Sequence, residues 1–201
     1  MLLAAALSAC AQGERVATRD PALGVPTSPR VIPEGQPIPR GGGVYKLGIP
    51  YSVAGLWYVP REDRAYDRMG VASWYGRDFH GRRTANGEIF DRNRLSAAHP
   101  TLPLPCYVTV TNLTNGRTIL VRVNDRGPYA RGRLIDLSPR ASLELGIYAH
   151  GTAPVRVRYA GHAPLSGDDR REWQFLAAQP WFAAGRRLAG GASPGVYGSL
   201  R

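Results

Sequence analysis

The chain has 201 residues, a length that allows one domain with tails or two very small ones. Its formal net charge of +11 comes almost wholly from arginine, and Lys46 is the only lysine. Such a charge favours an anionic polymer as partner, either a cell-wall glycan with acidic peptides or a membrane surface. Because no run of Lys or Arg and no basic helix occurs, we expect no nucleic acid partner.

The first ten residues, MLLAAALSAC, indicate export with a lipid anchor. The sequence Leu7-Ser8-Ala9-Cys10 resembles the bacterial lipobox, in which a signal peptidase cuts before a cysteine that carries lipid. The apolar stretch is short and lacks a charged start, so residues 1–9 are interpreted as a truncated signal peptide. The alternative is ordinary secretory cleavage near Ala9. If Cys10 carries lipid, Cys106 has no disulfide partner and is expected to be a small buried hydrophobe.

Four segments follow the signal peptide. Residues 10–44 are rich in Pro and Gly and have no helical or strand period, which predicts a flexible, disordered tether. Residues 45–69 form a lead-in, and residues 70–162 carry the patterns of a folded domain. Residues 163–201 form a loose C-terminal tail, except that REWQFLAAQPWFAAGRRL has aromatic and arginine residues at loosely helical spacing. We expect that stretch to pack on the domain or to lie against an anionic surface.

The patterns of the folded domain are mainly those of β-strands. Residues 107–113 (YVTVTNL) alternate with period two and end at the hairpin-turn dipeptide Asn115-Gly116. Residues 117–123 (RTILVRV) form the return strand. Shorter strands are predicted in GVASWYG, GRLIDL and APVRVRYA.

One helix is predicted between the last two strands. Ser138 is its N-cap, Pro139 its first helical residue, and Gly146 its end. Many short strands, frequent turns and one or two short helices predict a compact mixed-strand β-barrel, since closure leaves no long edges to pair with neighbours.

Carboxylates are the strongest candidates for chemistry, because the sequence indicates no metal and no cofactor. The histidines stand far apart and without acidic or cysteine partners at ligand spacing: His80, His99, His150 and His162. A serine nucleophile elbow and a phosphate-binding loop are both absent from the sequence.

Each candidate side chain also has a structural interpretation. Asp125 ends an apolar strand, where partial burial raises the pKa of a carboxyl, but it could instead cap its own Asp-Arg-Gly-Pro turn. Asp136 could be an acid at a helix entry, and Glu88 a charge in a turn. His99, beside small residues, could be a hydrogen-bonded member of the core. The pair Trp74-Tyr75 could stack on sugar rings or fill the core.

Three long motifs are similar to the RlpA (rare lipoprotein A) family of septal ring lytic transglycosylases. They are GVASWYGRDFHGRRTANGEIFD, LSAAHPTLPLPCYVTVTNLTNGRTILVRVNDRGPY and RLIDLSPRASLELGI. The resemblance implies a mainly β fold, a six-stranded double-psi β-barrel. It also implies cleavage of the MurNAc–GlcNAc β-1,4 bond of peptidoglycan strands, preferably those without stem peptides, to give 1,6-anhydro-MurNAc ends without a water nucleophile.

The same resemblance implies roles for particular residues. The catalytic carboxylates of the family fall on Glu88 in TANGE and Asp125 in NDRGP, with Asp125 expected as general acid/base and Glu88 assisting or positioning. His99 falls on a family active-site histidine. Substrate-binding or supporting roles are expected for His99, Asp91, Asp136, Asn86, Arg126, Trp74 and Tyr75.

A second interpretation makes the protein a glycan-binding or structural lipoprotein with the same barrel and no turnover. A third makes its basic surface a scaffold for a division or envelope protein. We expect a monomer anchored through Cys10. By resemblance to bacterial lipoproteins, Ala11 after the cysteine favours sorting to the periplasmic face of the outer membrane. Residues 163–201 are too few for the SPOR module of many relatives, which leaves septal targeting open.

Overall fold

The computed structural model describes residues 28–188, which contain eight β-strands, three α-helices and two single turns of 3-10 helix. The strands are β1 (Tyr51–Val53), β2 (Leu56–Tyr58), β3 (Asp67–Trp74), β4 (Ser96–Ala98), β5 (Cys106–Asn112), β6 (Thr118–Asp125), β7 (Arg133–Leu137) and β8 (Ala153–His162). The helices are α1 (Pro139–Leu145), α2 (Arg170–Ala177) and α3 (Pro180–Leu188), and the 3-10 turns are Arg77–Phe79 and Tyr148–His150.

Six of the strands close into a barrel in the order β3-β7-β4-β6-β5-β8. The β3–β7 and β4–β6 pairs are parallel, and the other four pairs are antiparallel. This confirms the predicted mainly β fold and six-stranded barrel, although the described residues hold three helices where one or two were expected.

The hairpin β5–β6 forms one wall of the barrel and follows the predicted pattern. Val108 pairs with Val121 and Val110 with Ile119, and all four side chains are buried in the main core. Burying an aliphatic side chain of this size contributes about 1.5–3 kcal/mol. The turn lies at the predicted dipeptide, where Gly116 has a φ of 72°.

Helix α1 begins and ends as predicted. The Ser138 hydroxyl accepts a hydrogen bond from the backbone N–H of Ala141 (3.1 Å), which satisfies one of the free donors of the first turn. Gly146 ends the helix in the left-handed conformation (φ 75°).

The C-terminal stretch that carried aromatic and arginine residues folds into α2 and α3. Helix α2 packs on β6, and its own residues Glu172 and Leu176 are buried in this contact. The predicted packing of this stretch on the barrel is therefore observed for α2.

Part of the predicted tether also contacts the barrel. The backbone N–H groups of Val31 and Ile32 donate to the Gly81 carbonyl (2.8 and 3.1 Å), and that of Val44 donates to Asn86 (2.8 Å). These contacts differ from the free tether expected for residues 28–44, while the segment boundaries stay predictions.

The predicted signal peptide and the lipid-bearing Cys10 lie outside the described residues. Within residues 28–188, no helix has both the length and the apolar character needed to cross a bilayer.

Candidate active site

Two of the predicted carboxylates lie at one end of the barrel, on either side of a small residue. Ala98 of β4 pairs with Asp125 on β6 and with Asp136 on β7. Two strand spacings put the Cα atoms of these acids roughly 10 Å apart. The β4–β6 register shifts here, since Ala97 pairs with Val123 and Ala98 with Asp125. Such a bulge re-aims the side chain at the end of a strand.

Asp125 is held by one carboxylate oxygen. Its Oδ1 accepts hydrogen bonds from the backbone N–H groups of Ala85 and Arg126, both at 2.8 Å. Burial raises the pKa of the Asp125 carboxyl to about 6, even though these hydrogen bonds and the charges of Arg126 and Lys46 act to lower it. Oδ2 has no hydrogen-bond partner among residues 28–188, so this oxygen is free to carry the proton.

Asp136 is braced by its neighbours. Ser73, which pairs with it across β3–β7, donates a short hydrogen bond to Oδ1, and the Arg133 guanidinium lies 3.7 Å from Oδ2. Burial raises the pKa of the Asp136 carboxyl, against the effects of the Ser73 hydrogen bond and the Arg133 charge.

The Tyr75 hydroxyl lies in the field of both acids. It is buried and has no hydrogen-bond partner in the described part of the chain. Burial raises the pKa of Tyr75, and the charges of Asp125 and Asp136 raise it further. The backbone N–H of Tyr75 donates to the carbonyl of Leu137, the residue after Asp136 (3.0 Å). Its ring is fixed against Phe90, with 4.9 Å between centroids. A buried hydroxyl without a partner is costly, so it marks a position where a ligand group can bind.

Glu88 lies in a separate, enclosed cluster. Its carboxylate accepts two hydrogen bonds from Arg122 (3.1 and 2.5 Å) and one each from Asn124 and Asn86 (both 3.0 Å). Burial would raise the pKa of Glu88, but the hydrogen bonds and charge of Arg122 outweigh it, so that the pKa is lowered. Glu88 is therefore an ionised side chain that is 3% exposed.

A glycine strap, Arg40–Val44, covers this cluster. A Cβ at Gly43 would lie 2.8 Å from Glu88 Cγ and 2.7 Å from Asn86 Nδ2, closer than side chains tolerate. The strap is fixed beside the TANGE loop by the hydrogen bond from Val44 to Asn86 and by Lys46, whose Nζ donates to Ala85 (3.0 Å). The loop thus joins the two acids, because Ala85 binds Asp125 and Asn86 binds Glu88.

His99 lies beside Asp125 but is almost fully buried. Its backbone N–H donates to the Asp125 carbonyl (3.0 Å), and its ring Nδ1 accepts from the N–H groups of Thr101 and Leu102 (3.2 and 3.1 Å). Since Nδ1 is an acceptor, the proton is on Nε2, which lies 2.8 Å from the Tyr66 hydroxyl. Burial lowers the pKa of His99 to about 3, so the ring stays neutral and fixes the loop behind Asp125.

Of the remaining predicted residues, Arg126 lies near Asp125, Asp91 lies near Glu88, and Trp74 belongs to neither site. The Arg126 guanidinium donates to the carbonyls of Leu102 and Leu47 (both 2.6 Å), which fixes the loops behind Asp125. Asp91 lines the same small space as Glu88, and its carboxylate accepts a hydrogen bond from the Asn93 N–H (2.9 Å). Trp74 stacks on Tyr148 at 4.4 Å and packs against the main core.

Sequence reasoning missed an aromatic group and an ion-pair partner. Tyr51 and Tyr58 stack on each other at 5.3 Å, and Tyr129 contacts both edge-on. The Tyr51 hydroxyl donates to the carbonyl of Pro100 (2.8 Å), the residue after His99, whose N–H binds the Asp125 carbonyl. Burial raises the pKa of Tyr51 and Tyr129, and the charge of Asp125 adds to the effect. Alternation along β6 could have placed Arg122 on the face opposite Val121 and Val123, but not beside Glu88.

The arrangement around Asp125 suits proton transfer to a bound sugar. It combines a carboxyl whose pKa is raised, a neutral phenol and an aromatic group on which sugar rings can stack. In residues 28–188, no group of three or more His, Cys, Asp and Glu side chains is placed to hold a metal ion.

Comparison with known proteins finds a family model that matches the barrel and several relatives that are similar to it. Residues 67–157 match the family model described as lytic transglycolase. The chain is 54% identical over 150 residues to an endolytic peptidoglycan transglycosylase RlpA of Pseudomonas aeruginosa, covering 74% of this chain and 43% of that protein. Proteins of the same name from Rickettsia bellii and Neisseria meningitidis serogroup B are 46% and 51% identical over 120 and 108 residues.

The Rickettsia alignment covers 58% of this chain and 53% of the relative, and the Neisseria alignment covers 53% and 45%. The chain therefore spans about half the length of the curated relatives that it matches. A solved structure, the Streptomyces papain inhibitor, aligns with 50% of this chain and 99% of its own at 24% identity and a TM-score of 0.41, a similarity too weak to bear on function.

Proposed function

The barrel of this chain belongs to the RlpA family of lytic transglycosylases, and from this premise we propose that the protein cleaves peptidoglycan glycan strands with Asp125 as its acid/base. The reaction proposed is scission of the MurNAc–GlcNAc β-1,4 bond, preferably in strands without stem peptides, to leave a 1,6-anhydro-MurNAc end. The observation that carries this proposal is Asp125, which has a pKa raised to about 6 by burial and one carboxylate oxygen without a partner in residues 28–188.

The proposed mechanism uses Asp125 twice. Protonated Asp125 Oδ2 gives its proton to the glycosidic oxygen as the bond to C1 breaks, through an oxocarbenium-like transition state. The ionised carboxylate then accepts the proton of the C6 hydroxyl as that oxygen attacks C1 and closes the anhydro ring. Each turnover returns the proton to Asp125, so no water enters the product.

Glu88 is proposed to position rather than to transfer protons. Its carboxylate is ionised and receives four hydrogen bonds, and the glycine strap covers it. Its contribution is to fix the TANGE loop, whose Ala85 N–H binds Asp125 Oδ1. His99 and Arg126 fix the loops on the other side of Asp125, and Asp136 and Tyr75 line the same end of the barrel.

The test compares Asp125→Asn with Asp67→Asn. Asp67 begins the strand whose far end carries Trp74, and it forms an exposed ion pair with Arg156. Mass spectrometry of the products from peptide-free glycan should show anhydro ends for the wild type and for Asp67→Asn, and none for Asp125→Asn. Full release by folded Asp125→Asn excludes the proposed mechanism.

The enclosure of Glu88 favours one alternative, a glycan-binding lipoprotein without turnover. If cleavage required two accessible carboxylates, the ion pair with Arg122 would leave only one of this pair. This alternative is favoured if wild-type protein sediments with purified sacculi and releases no anhydro product from them.

The finer location is proposed from the sequence. Peptidoglycan as substrate places the protein in the cell envelope, and a lipid on Cys10 would hold it as a monomer at the periplasmic face of the outer membrane. Replacement of Cys10 by Ser should release the protein from the membrane fraction, which fractionation and immunoblotting measure.

A further inference from the structure

A cavity separate from the Asp125 site lies between the N-terminal segment and helices α1 and α2. Its volume is about 640 Å³, within the size range of small-molecule sites, and neither Asp125 nor Tyr75 lines it. Its walls come from the N-terminal segment, the loop after Phe90, helix α1 and the start of α2. The arginines and aspartates of its lining are Arg40, Asp91, Arg92, Arg94, Arg140 and Asp169.

The lining carries four arginines against two aspartates. Arg40 pairs with Asp169 (3.1 Å) and Arg94 lies 3.6 Å from Asp91, so each aspartate accounts for one guanidinium. Arg140 pairs with Glu144 (2.7 Å), which lies outside the lining and is 15% exposed. Of the four lining arginines, Arg92 has the most exposed carboxylate partner.

Arg92 is the most favourable ligand contact. Its side chain is 11% exposed, and its Nε is buried without a hydrogen-bond acceptor in residues 28–188. Its one ion pair is with Glu34 (3.3 Å), whose side chain is 69% exposed, and exposed pairs of this kind are weak. Next to it, Arg140 is held over the ring of Trp173 at 5.0 Å.

We propose that this cavity binds a carboxylate-bearing sugar of the glycan strand, namely a muramic acid residue whose lactyl carboxylate is free because its stem peptide has been removed. Guanidinium groups bind carboxylates through paired, charge-assisted hydrogen bonds, which a neutral N-acetylglucosamine residue cannot provide. The cavity adjoins the Glu88 cluster, because Asp91, Arg94 and Asp169 line the spaces on both sides. This inference rests on the proposed function, and it adds a basis for selecting peptide-free strands.

The test is a binding measurement on the full chain carrying Asp125→Asn, so that the strand is not cut. Isothermal titration compares a peptide-free peptidoglycan hexasaccharide with an N-acetylglucosamine hexamer, which has the same β-1,4 linkage and no carboxylate. We expect the hexasaccharide to bind about tenfold tighter or better at low salt, the effect of one charge-assisted contact, and we expect added salt to reduce that ratio.

Three further variants locate the contact. Arg92→Gln should lower the affinity for the hexasaccharide to that for the N-acetylglucosamine hexamer, and should leave the affinity for the hexamer unchanged. Arg40→Gln leaves Asp169 in the lining without its guanidinium partner, so it should also lower the affinity for the hexasaccharide and leave that for the hexamer unchanged. Arg40 is 57% exposed, so its replacement keeps the test valid if Arg92→Gln fails to fold. Arg158→Gln is the control, an exposed arginine on β8 that does not line the cavity.

The inference is overturned if the Asp125→Asn protein binds the hexasaccharide and the hexamer with equal affinity. It is also overturned if Arg40→Gln and the control Arg158→Gln lower the affinity for both sugars by the same factor. The measurement does not depend on cleavage. A carboxylate preference in a protein whose wild type releases no anhydro product would refute the proposed enzyme activity while leaving the cavity's assignment in place.

Discussion

Glu88→Gln separates a positioning role for Glu88 from a catalytic one. In the wild type, Glu88 and Arg122 are 3% and 6% exposed, and four hydrogen bonds converge on the carboxylate. The amide of a glutamine can accept at only one of its two terminal atoms, so its NH₂ group faces donors and the Arg122 charge is left buried without a counterion. Removing one partner of a buried ion pair costs about 3–5 kcal/mol of unfolding free energy.

The companion variant is Glu88→Gln combined with Arg122→Met. Replacing both charges removes the uncompensated guanidinium, so the double variant should lose less stability than the sum of the single variants by about 2 kcal/mol. Urea unfolding followed by circular dichroism gives the unfolding free energies of the wild type, Glu88→Gln, Arg122→Met and the double variant. Asp67→Asn is the control, because it breaks an exposed ion pair and should leave the urea midpoint unchanged.

Activity on peptide-free glycan, measured well below the unfolding midpoint of each variant, completes the test. If Glu88 positions the TANGE loop, the double variant recovers part of the activity that Glu88→Gln loses, because the loop regains a neutral, hydrogen-bonded anchor. The reasoning is refuted if Glu88→Gln unfolds at the wild-type midpoint and is inactive, since that combination assigns Glu88 to the chemistry.

The other predictions concern groups whose pKa is raised by burial. With Asp125 as general acid and a pKa of about 6, kcat/KM should fall about tenfold per pH unit above that value, and a flat profile from pH 5 to 8 contradicts this role. If the Tyr75 hydroxyl contacts the reacting sugar, Tyr75→Phe should lower kcat by about 10- to 100-fold and leave KM unchanged. Tyr159→Phe is the control, because it also removes a buried hydroxyl without a partner in residues 28–188, and it should leave kcat unchanged. Burial raises the pKa of Glu172 to about 7 from 4.5, so this group favours folding below pH 4.5 and its contribution is lost as pH rises through about 7. Glu172→Gln should therefore be more stable than the wild type by about 3 kcal/mol at pH 9 and similar to it at pH 5, as urea midpoints at the two pH values would show.

The elements that could be predicted are those determined by short-range sequence patterns. The strands β5 and β6 follow from alternation around Asn115-Gly116, and α1 follows from Ser138 and Gly146. Strand β4 is three small residues, Ser96–Ala98, with no periodic signal, yet it lies between β6 and β7 and brings their acids to one level. Barrel closure decides that position, and closure depends on pairs of strands that are distant in sequence.

The position of the strap could not be predicted for a related reason. Residues 28–44 contain little that could pack on itself, so composition alone indicated a free tether. The segment lies on the barrel because its backbone groups pair with Gly81 and Asn86 and because Gly43 allows close approach to Glu88. A Gly-rich segment can therefore be a fixed wall when the partner surface is supplied by another part of the chain.

The two acids singled out by family resemblance are separated by environment, and that separation could not be read from their own neighbours in sequence. Glu88 meets Arg122, which is 34 residues away, and its pKa is lowered; Asp125 meets mainly backbone N–H groups in a buried place, and its pKa is raised. A carboxylate that stays ionised cannot be the acid that protonates a leaving oxygen, whereas a carboxyl that titrates near 6 can be both acid and base. The environments of the two side chains therefore favour one residue for both proton transfers, and they leave Glu88 the task of fixing the loop that holds it.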